Sequence, residues 1–235
     1  MSIFLAELLG TALLIILGNG VVANVLLNKS NGQNGGWIVI TMGWAMAVFV
    51  GVLTVGAHSG AHLNSAVTLA LAVAGNVAWE VVPVYLAAQL LGAFLGACVV
   101  WAAYVKQFEA TDDAGAKMAV FCTSPAVRST IPNLITEIVG TFVLIIAVFF
   151  IVKPEVGLGA VDALPIALVV LGIGLSLGGP TGYAINPARD LGPRLAHMIL
   201  PIRNKKGNDW GYAWIPIVGP VIGSLLATAL FLAVK

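Results

Sequence analysis

The chain has 235 residues, of which 60% are hydrophobic and only 9% charged, and its net charge is +1. Soluble domains carry about 25% charged residues, so this balance and a mean hydropathy of +1.01 exclude an ordinary soluble domain. The near-neutral charge, with no basic cluster, excludes a nucleic-acid partner.

A spanning helix needs about 20 mainly apolar residues. Six stretches qualify, at roughly 4–27, 37–57, 82–105, 131–152, 163–179 and 213–234. The first apolar run, Ile3 to Leu27, is too long for a signal core, so no removable signal peptide is expected. The fifth stretch is short and Gly-rich. Two further apolar pieces, about 65–76 and 187–200, are only half as long. Half-spans are permitted at membrane depth where their loops line a cavity or are buried in protein. The linkers are polar: Asn28 to Gly36, Lys106 to Arg128, Lys153 to Asp162 and Ile202 to Gly211. Cys98 lies in an apolar run and Cys122 in a polar linker, so both are expected free, with no metal motif.

The half-length pieces each follow one copy of a polar motif. Ser59-Gly-Ala-His-Leu-Asn-Ser-Ala-Val-Thr68 aligns without gaps on Thr181-Gly-Tyr-Ala-Ile-Asn-Pro-Ala-Arg-Asp190. Gly60/Gly182, Asn64/Asn186 and Ala66/Ala188 are identical. The repeat extends further. Ala6-Glu7-Leu-Leu-Gly10-Thr11 returns as Thr136-Glu137-Ile-Val-Gly140-Thr141, and Gly92 and Gly96 match Gly223 and Ala227. Each half therefore holds three spans and one half-helix. Three is odd, so the second half enters the membrane from the opposite side, as an inverted repeat with broken helices near the midplane. The expected division is one channel domain over 1–235: first repeat 1–105, connecting loop 106–130, second repeat 131–235.

As N-caps, the side-chain oxygens of Asn64 and Asn186 accept from backbone N–H groups of the first helical turn. Their amide NH2 groups are then free to point into a pore. Two half-helix N-termini add partial positive charge there, which repels cations and protons. Pro187 suits a first helical position; Ser65 stands in its place in the upstream copy. Arg189 is costly to bury unless it is paired or faces water. Glu7 and Glu137, acidic residues inside spans, occupy equivalent repeat positions.

These motifs, with the half-helices behind them, resemble the major intrinsic protein family, the aquaporins and glycerol facilitators, over nearly the whole chain. Asp190 after Arg189 resembles the glycerol-conducting branch, in its bacterial form. The resemblance implies an all-α membrane protein: six transmembrane helices plus two re-entrant half-helices in a right-handed bundle, with a pore in each subunit of a homotetramer. It also implies a selectivity filter of Trp44, Gly174, Tyr183 and Arg189. Trp44 and Tyr183 would form an apolar corner for a polyol's carbons, and Gly174 would leave room for the second ring. The central motifs would be Asn64, Ser65, Ala66 and Asn186, Pro187, Ala188. Ser65 departs from the family's usual proline, and Tyr183 from its usual Phe, with a hydroxyl that would narrow the pore or add a polar contact. Glu7, Glu137, His62 and Asp190 would anchor the loops. Asn19 stays open between packing contact and pore-facing group; His58 and His197 have no evident partner.

The function implied is passive passage of small uncharged solutes: glycerol, water, and among further candidates dihydroxyacetone, urea or undissociated lactic acid. The competing class is an ion-coupled transporter, since inverted repeats serve both; it would want a free acidic residue at the midplane. A membrane enzyme finds no nucleophile–base pair in the spans. No cofactor is expected. The bilayer is the expected surrounding, in a bacterial cytoplasmic membrane. Orientation is contested. The resemblance puts both termini inside, leaving Lys29, Lys106, Lys117, Arg128, Arg203, Lys205 and Lys206 outside and only Lys153 and Lys235 inside. The positive-inside rule predicts the reverse.

Overall fold

A computed structural model describes residues 1–151 and 159–235. Its α-helices in chain order are α1 (Ile3–Leu26), α2 (Trp37–Ser59), α3 (Ser65–Val73), α4 (Val82–Ala103), α5 (Val105–Ala110), α6 (Ala114–Ala119), α7 (Thr130–Phe150), α8 (Leu164–Leu177), α9 (Pro187–Ile199) and α10 (Ile215–Val234). Short 3-10 turns, Trp79–Val81 and Gly159–Ala163, lead into α4 and α8. The described residues contain no strand. Helices α1, α2, α4, α7 and α10 are long and apolar enough to cross a membrane. The expected fifth span is α8, only 14 residues long, within an apolar run Val161–Leu177. Residue 152 of the expected fourth span, and residues 153–158 of the linker after it, lie outside the described residues. The side on which Lys153 stands lies outside them too.

Apolar chain in lipid must satisfy its own backbone, which helices do. The sequence also marks where they stop. Ser2 Oγ accepts from Leu5 N–H at the start of α1. Gly60, at φ 79°, ends α2 and returns its N–H to Gly56 O. Pro83, Pro165, Pro187 and Pro216 stand at the first or second position of α4, α8, α9 and α10, where a missing N–H costs nothing.

Packing follows one pattern in both halves. α1 lies on α4 and α2; α7 lies on α10 and α8; α2 meets α8. Each half-helix packs on a long helix of the other half, α3 on α10 and α9 on α4. Small residues permit the close approach. A Cβ on Gly92 would overlap the Leu8 carbonyl, and one on Gly223 would overlap the Ile138 carbonyl. Polarity is inverted relative to a soluble protein. Ile38 and Ile131 are each 69% exposed, whereas Glu7, Gln89, Thr141 and Ser224 are buried. Apolar faces turned outward suit lipid, and the polar groups serve the interior. The protein is a multi-pass membrane protein.

The linker between Lys106 and Arg128 differs from its expected irregular form. It contains α5 and α6, and Phe108, Met118 and Phe121 from it are buried. Phe108 and Phe121 rings lie 5.6 Å apart. Six-residue helices have no strong sequence signature; tertiary burial of these side chains holds them.

Candidate functional site

The two polar loops share one backbone solution. Ala61 and Leu63 have φ of 49° and 51°, and Tyr183 and Ile185 have 37° and 44°, in the left-handed region. Such residues cost on the order of 1–3 kcal/mol each and persist only when their surroundings impose them. The buried carboxylates impose them here. Glu7 Oε1 accepts from His62 N–H at 3.0 Å, and Oε2 from Leu63 N–H at 2.8 Å. Glu137 does the same for Ala184 N–H at 3.0 Å and Ile185 N–H at 2.9 Å. Ser59 Oγ donates to Glu7 at 2.6 Å, and Thr181 hydrogen-bonds Glu137. His62 Nδ1 lies 3.0 Å from Thr68 Oγ1, its ring stacked on Tyr85 at 4.2 Å.

Beyond each loop an Asn starts the half-helix. Asn64 Oδ1 accepts from Ala66 N–H at 2.9 Å, and Asn186 Oδ1 from Ala188 and Arg189 N–H at 3.1 and 3.3 Å. Their amides are not both fully free, as the sequence suggests. Asn64 Nδ2 donates to Ile185 O and Asn186 Nδ2 to Leu63 O, each at 2.8 Å. One amide hydrogen of each thus clamps the opposite loop; the second remains for a ligand. The reason is the approach of loops separated by over a hundred residues, which spacing alone does not reveal. Ser65, Ala66, Pro187 and Ala188 form the first turns behind these Asn residues.

Both Asn residues line a cavity of about 830 Å³, as do Trp44, His62, Tyr183 and Arg189. Its walls are otherwise mostly apolar and follow helical spacing: Trp44, Val48 and Val52 on α2, Leu144, Val148 and Ile151 along α7 and just beyond its end, Ile166 and Val170 on α8. Asp162, before α8, is the acidic residue among the described lining groups. Arg189 is 8% exposed, its guanidinium carbon 4.0 Å from the Trp44 ring centroid. The cation therefore lies over the Trp44 ring.

Gly174 does not line the cavity. It lies behind Tyr183, where a Cβ would meet Thr41 Cγ2 and Tyr183 Cζ at 2.9 Å each. The Tyr183 hydroxyl is buried with no hydrogen-bond partner among the described residues. Trp37, absent from the sequence-derived set, steadies this ring edge-on at 5.8 Å and donates Nε1–H to Gly174 O at 2.9 Å.

Asp190 and Glu7 and Glu137 are buried away from the lumen wall. Asp190 Oδ2 accepts from Thr123 N–H at 2.8 Å and Thr123 Oγ1 at 2.6 Å. It also pairs with Arg194 at 2.7 Å. Arg194 was not singled out from the sequence, yet its side chain is fully buried. It further donates to Thr123 O, Asn208 O and Asp209 O, joining two loops to α9. Its signal was the i,i+4 spacing from Asp190 on a half-helix. His197, without an evident partner in sequence, has Nδ1 2.6 Å from Asn208 Oδ1. Cys122, free as expected, is buried in this cluster; burial first, and Asp190 next, push its thiol up to about 12. Asn19 is fully buried, and neither side-chain polar atom has a partner among the described residues.

A family model described as Major intrinsic protein matches residues 1–231. A probable glycerol uptake facilitator protein of Thermotoga maritima is 57% identical over 231 residues, covering 98% of each chain. A glycerol uptake facilitator protein of Streptococcus pneumoniae is 51% identical over the same length and coverage. The X-ray structure of the aquaglyceroporin from Plasmodium falciparum superposes with a TM-score of 0.86 at 32% identity, covering 97% of this chain and 93% of that one.

Proposed function

The chain belongs to the major intrinsic protein family, and from that premise we propose that its cavity is a passive pore for small uncharged solutes, glycerol foremost, with water. The carrying observation is a lumen lined by two clamped Asn amides and one guanidinium between apolar walls. A polyol's hydroxyls find donors at Asn64, Asn186 and Arg189, while its carbons lie along apolar side chains. A cation meets the Arg189 charge and two helix N-termini, and gains no compensation for its lost water. Trp44, Tyr183 and Arg189 form the selectivity filter, with Gly174 behind Tyr183 setting its width. Glu7, Glu137, His62 and Asp190 anchor the loops.

The same reading extends to the assembly. Residues 1–105 and 131–235 are inverted repeats joined by 106–130, a division supported by their matched packing. The protein acts in a bacterial cytoplasmic membrane as a homotetramer whose subunits each carry a pore. Coupling to an ion is disfavoured because Glu7 and Glu137 are committed to loop N–H groups.

Stopped-flow light scattering on reconstituted vesicles tests this. Glycerol flux is expected to rise linearly with gradient and to ignore imposed sodium or proton gradients. Saturating flux that follows an ion gradient would establish a carrier instead.

A further inference from the structure

Among the many positions at which the two halves differ, one pair is linked by a side-chain bond in the first half. Gly92 against Leu8 O and Gly223 against Ile138 O put α4 and α10 in the same register on α1 and α7. In that register Gln89 of α4 occupies the place of Pro220 in α10. Ser65, after Asn64, occupies the place of Pro187, after Asn186. The second half thus has proline at both positions and the first half has a polar residue at both.

Those two polar residues bond each other. Ser65 Oγ lies 3.1 Å from Gln89 Oε1. Gln89 is fully buried, and its Nε2 donates to Glu7 Oε2 at 2.8 Å and Thr68 Oγ1 at 3.0 Å. A carboxylate accepts only, so Glu7 fixes which end of the amide is nitrogen. Gln89 Oε1 must then face Ser65, and the Ser65 hydroxyl must donate. Glu7 also holds Leu63 N–H, just before Asn64. One carboxylate therefore grips the chain on both sides of Asn64: directly before it, and through Gln89 and Ser65 after it.

We propose that Ser65 and Gln89 are a paired positioning device replacing the proline of the other half, and that they set where the Asn64 amide stands in the lumen. Proline fixes the first helical turn by its ring; here a side-chain bond to α4 does so. Ser65 is not a lining residue, so its influence on permeation passes through Asn64. The inference rests on the pore reading given above.

The test is a double-mutant cycle in vesicles reading the glycerol-to-water permeability ratio of the full chain: wild type, Ser65→Ala, Ser65→Thr, Gln89→Met and Ser65→Ala/Gln89→Met. Losing one hydrogen bond of typical strength shifts the ratio by roughly threefold to tenfold in Ser65→Ala. Ser65→Thr, which keeps the hydroxyl, retains the wild-type ratio. In the Gln89→Met background Ser65→Ala has no further effect. An unchanged ratio in Ser65→Ala, or equal effects of it in both backgrounds, overturns the pairing. Should Gln89→Met not assemble, Ser65→Pro serves as the second arm. It restores the residue of the other half, whose ring fixes the first turn, so the ratio stays near the wild-type value; a ratio shifted as in Ser65→Ala overturns the proposal. Wild-type vesicles that pass neither glycerol nor water would instead refute the pore reading.

Discussion

Removing the Arg189 guanidinium takes away both the positive charge at the cavity wall and the group stacked 4.0 Å over the Trp44 ring. Arg189→Val is expected to raise cation leak by on the order of tenfold and to weaken the ranking among polyols. Conductance across planar bilayers, with solute flux in parallel, checks both. The Tyr183 hydroxyl makes the opposite case. It is buried and unpartnered, so Tyr183→Phe should alter stability by no more than about 1 kcal/mol, with an unchanged glycerol-to-water ratio. Gly174→Ala should not be silent, because its Cβ would stand 2.9 Å from Tyr183 Cζ. The ring must move, and glycerol flux should fall by more than water flux. Equal flux losses in Gly174→Ala would mean that the ring does not set the width.

At the scale of elements, α9 is held by charge where α3 is held by neutral amide and hydroxyl groups. Arg194 and Asp190 lie on one face of α9, and together they bind the Thr123 loop and the Asn208–Asp209 turn. Breaking a buried pair from one side costs about 3–5 kcal/mol, since the remaining charge stays buried. Arg194→Met should therefore lower the thermal midpoint in micelles by roughly 10 °C. Arg128, whose side chain is 59% exposed beside Asp209, is the control. An exposed pair contributes up to about 1 kcal/mol, so Arg128→Ala should leave the midpoint within a few degrees. Equal drops in both variants would contradict the assignment of α9's anchorage to Arg194.

At the scale of the whole molecule, a lumen with positive features attracts anions, but entry and passage differ. Stripping a carboxylate of water in a partly apolar tube costs far more than stripping a hydroxyl, and pairing with Arg189 would hold it there. A small hydroxy acid such as lactic acid is expected to cross only in its neutral form. Its pKa is roughly 4. Above that, flux at fixed total acid falls about tenfold per pH unit, following the neutral fraction. Glycerol flux through the same vesicles stays nearly flat. Acid flux that holds level between about pH 5 and 7, or a current carried by lactate, would contradict a neutral-solute pore.

The membrane class and most helices were legible because lipid makes a one-dimensional demand: about 20 apolar residues in a row, with every backbone group satisfied inside the segment. The half-helices were legible for a similar reason, as an N-cap is a local event between Asn64 or Asn186 and the next two or three residues. The duplicated motif then suggested that the two loops belong together. What stayed hidden were contacts between residues far apart in the chain. The Asn64–Ile185 and Asn186–Leu63 clamps join the halves across more than 120 residues. Gln89 reaches Ser65 and Glu7 from a helix that is apolar nearly throughout, where one amide carries no periodic signal. Gly174 was legible as room for the Tyr183 ring, but the Thr41 methyl that closes the same space from α2 was not. Apolar periodicity specifies which segments enter the bilayer; only the packed tertiary structure decides which buried polar group meets which partner, because that depends on helix rotation and register rather than on composition.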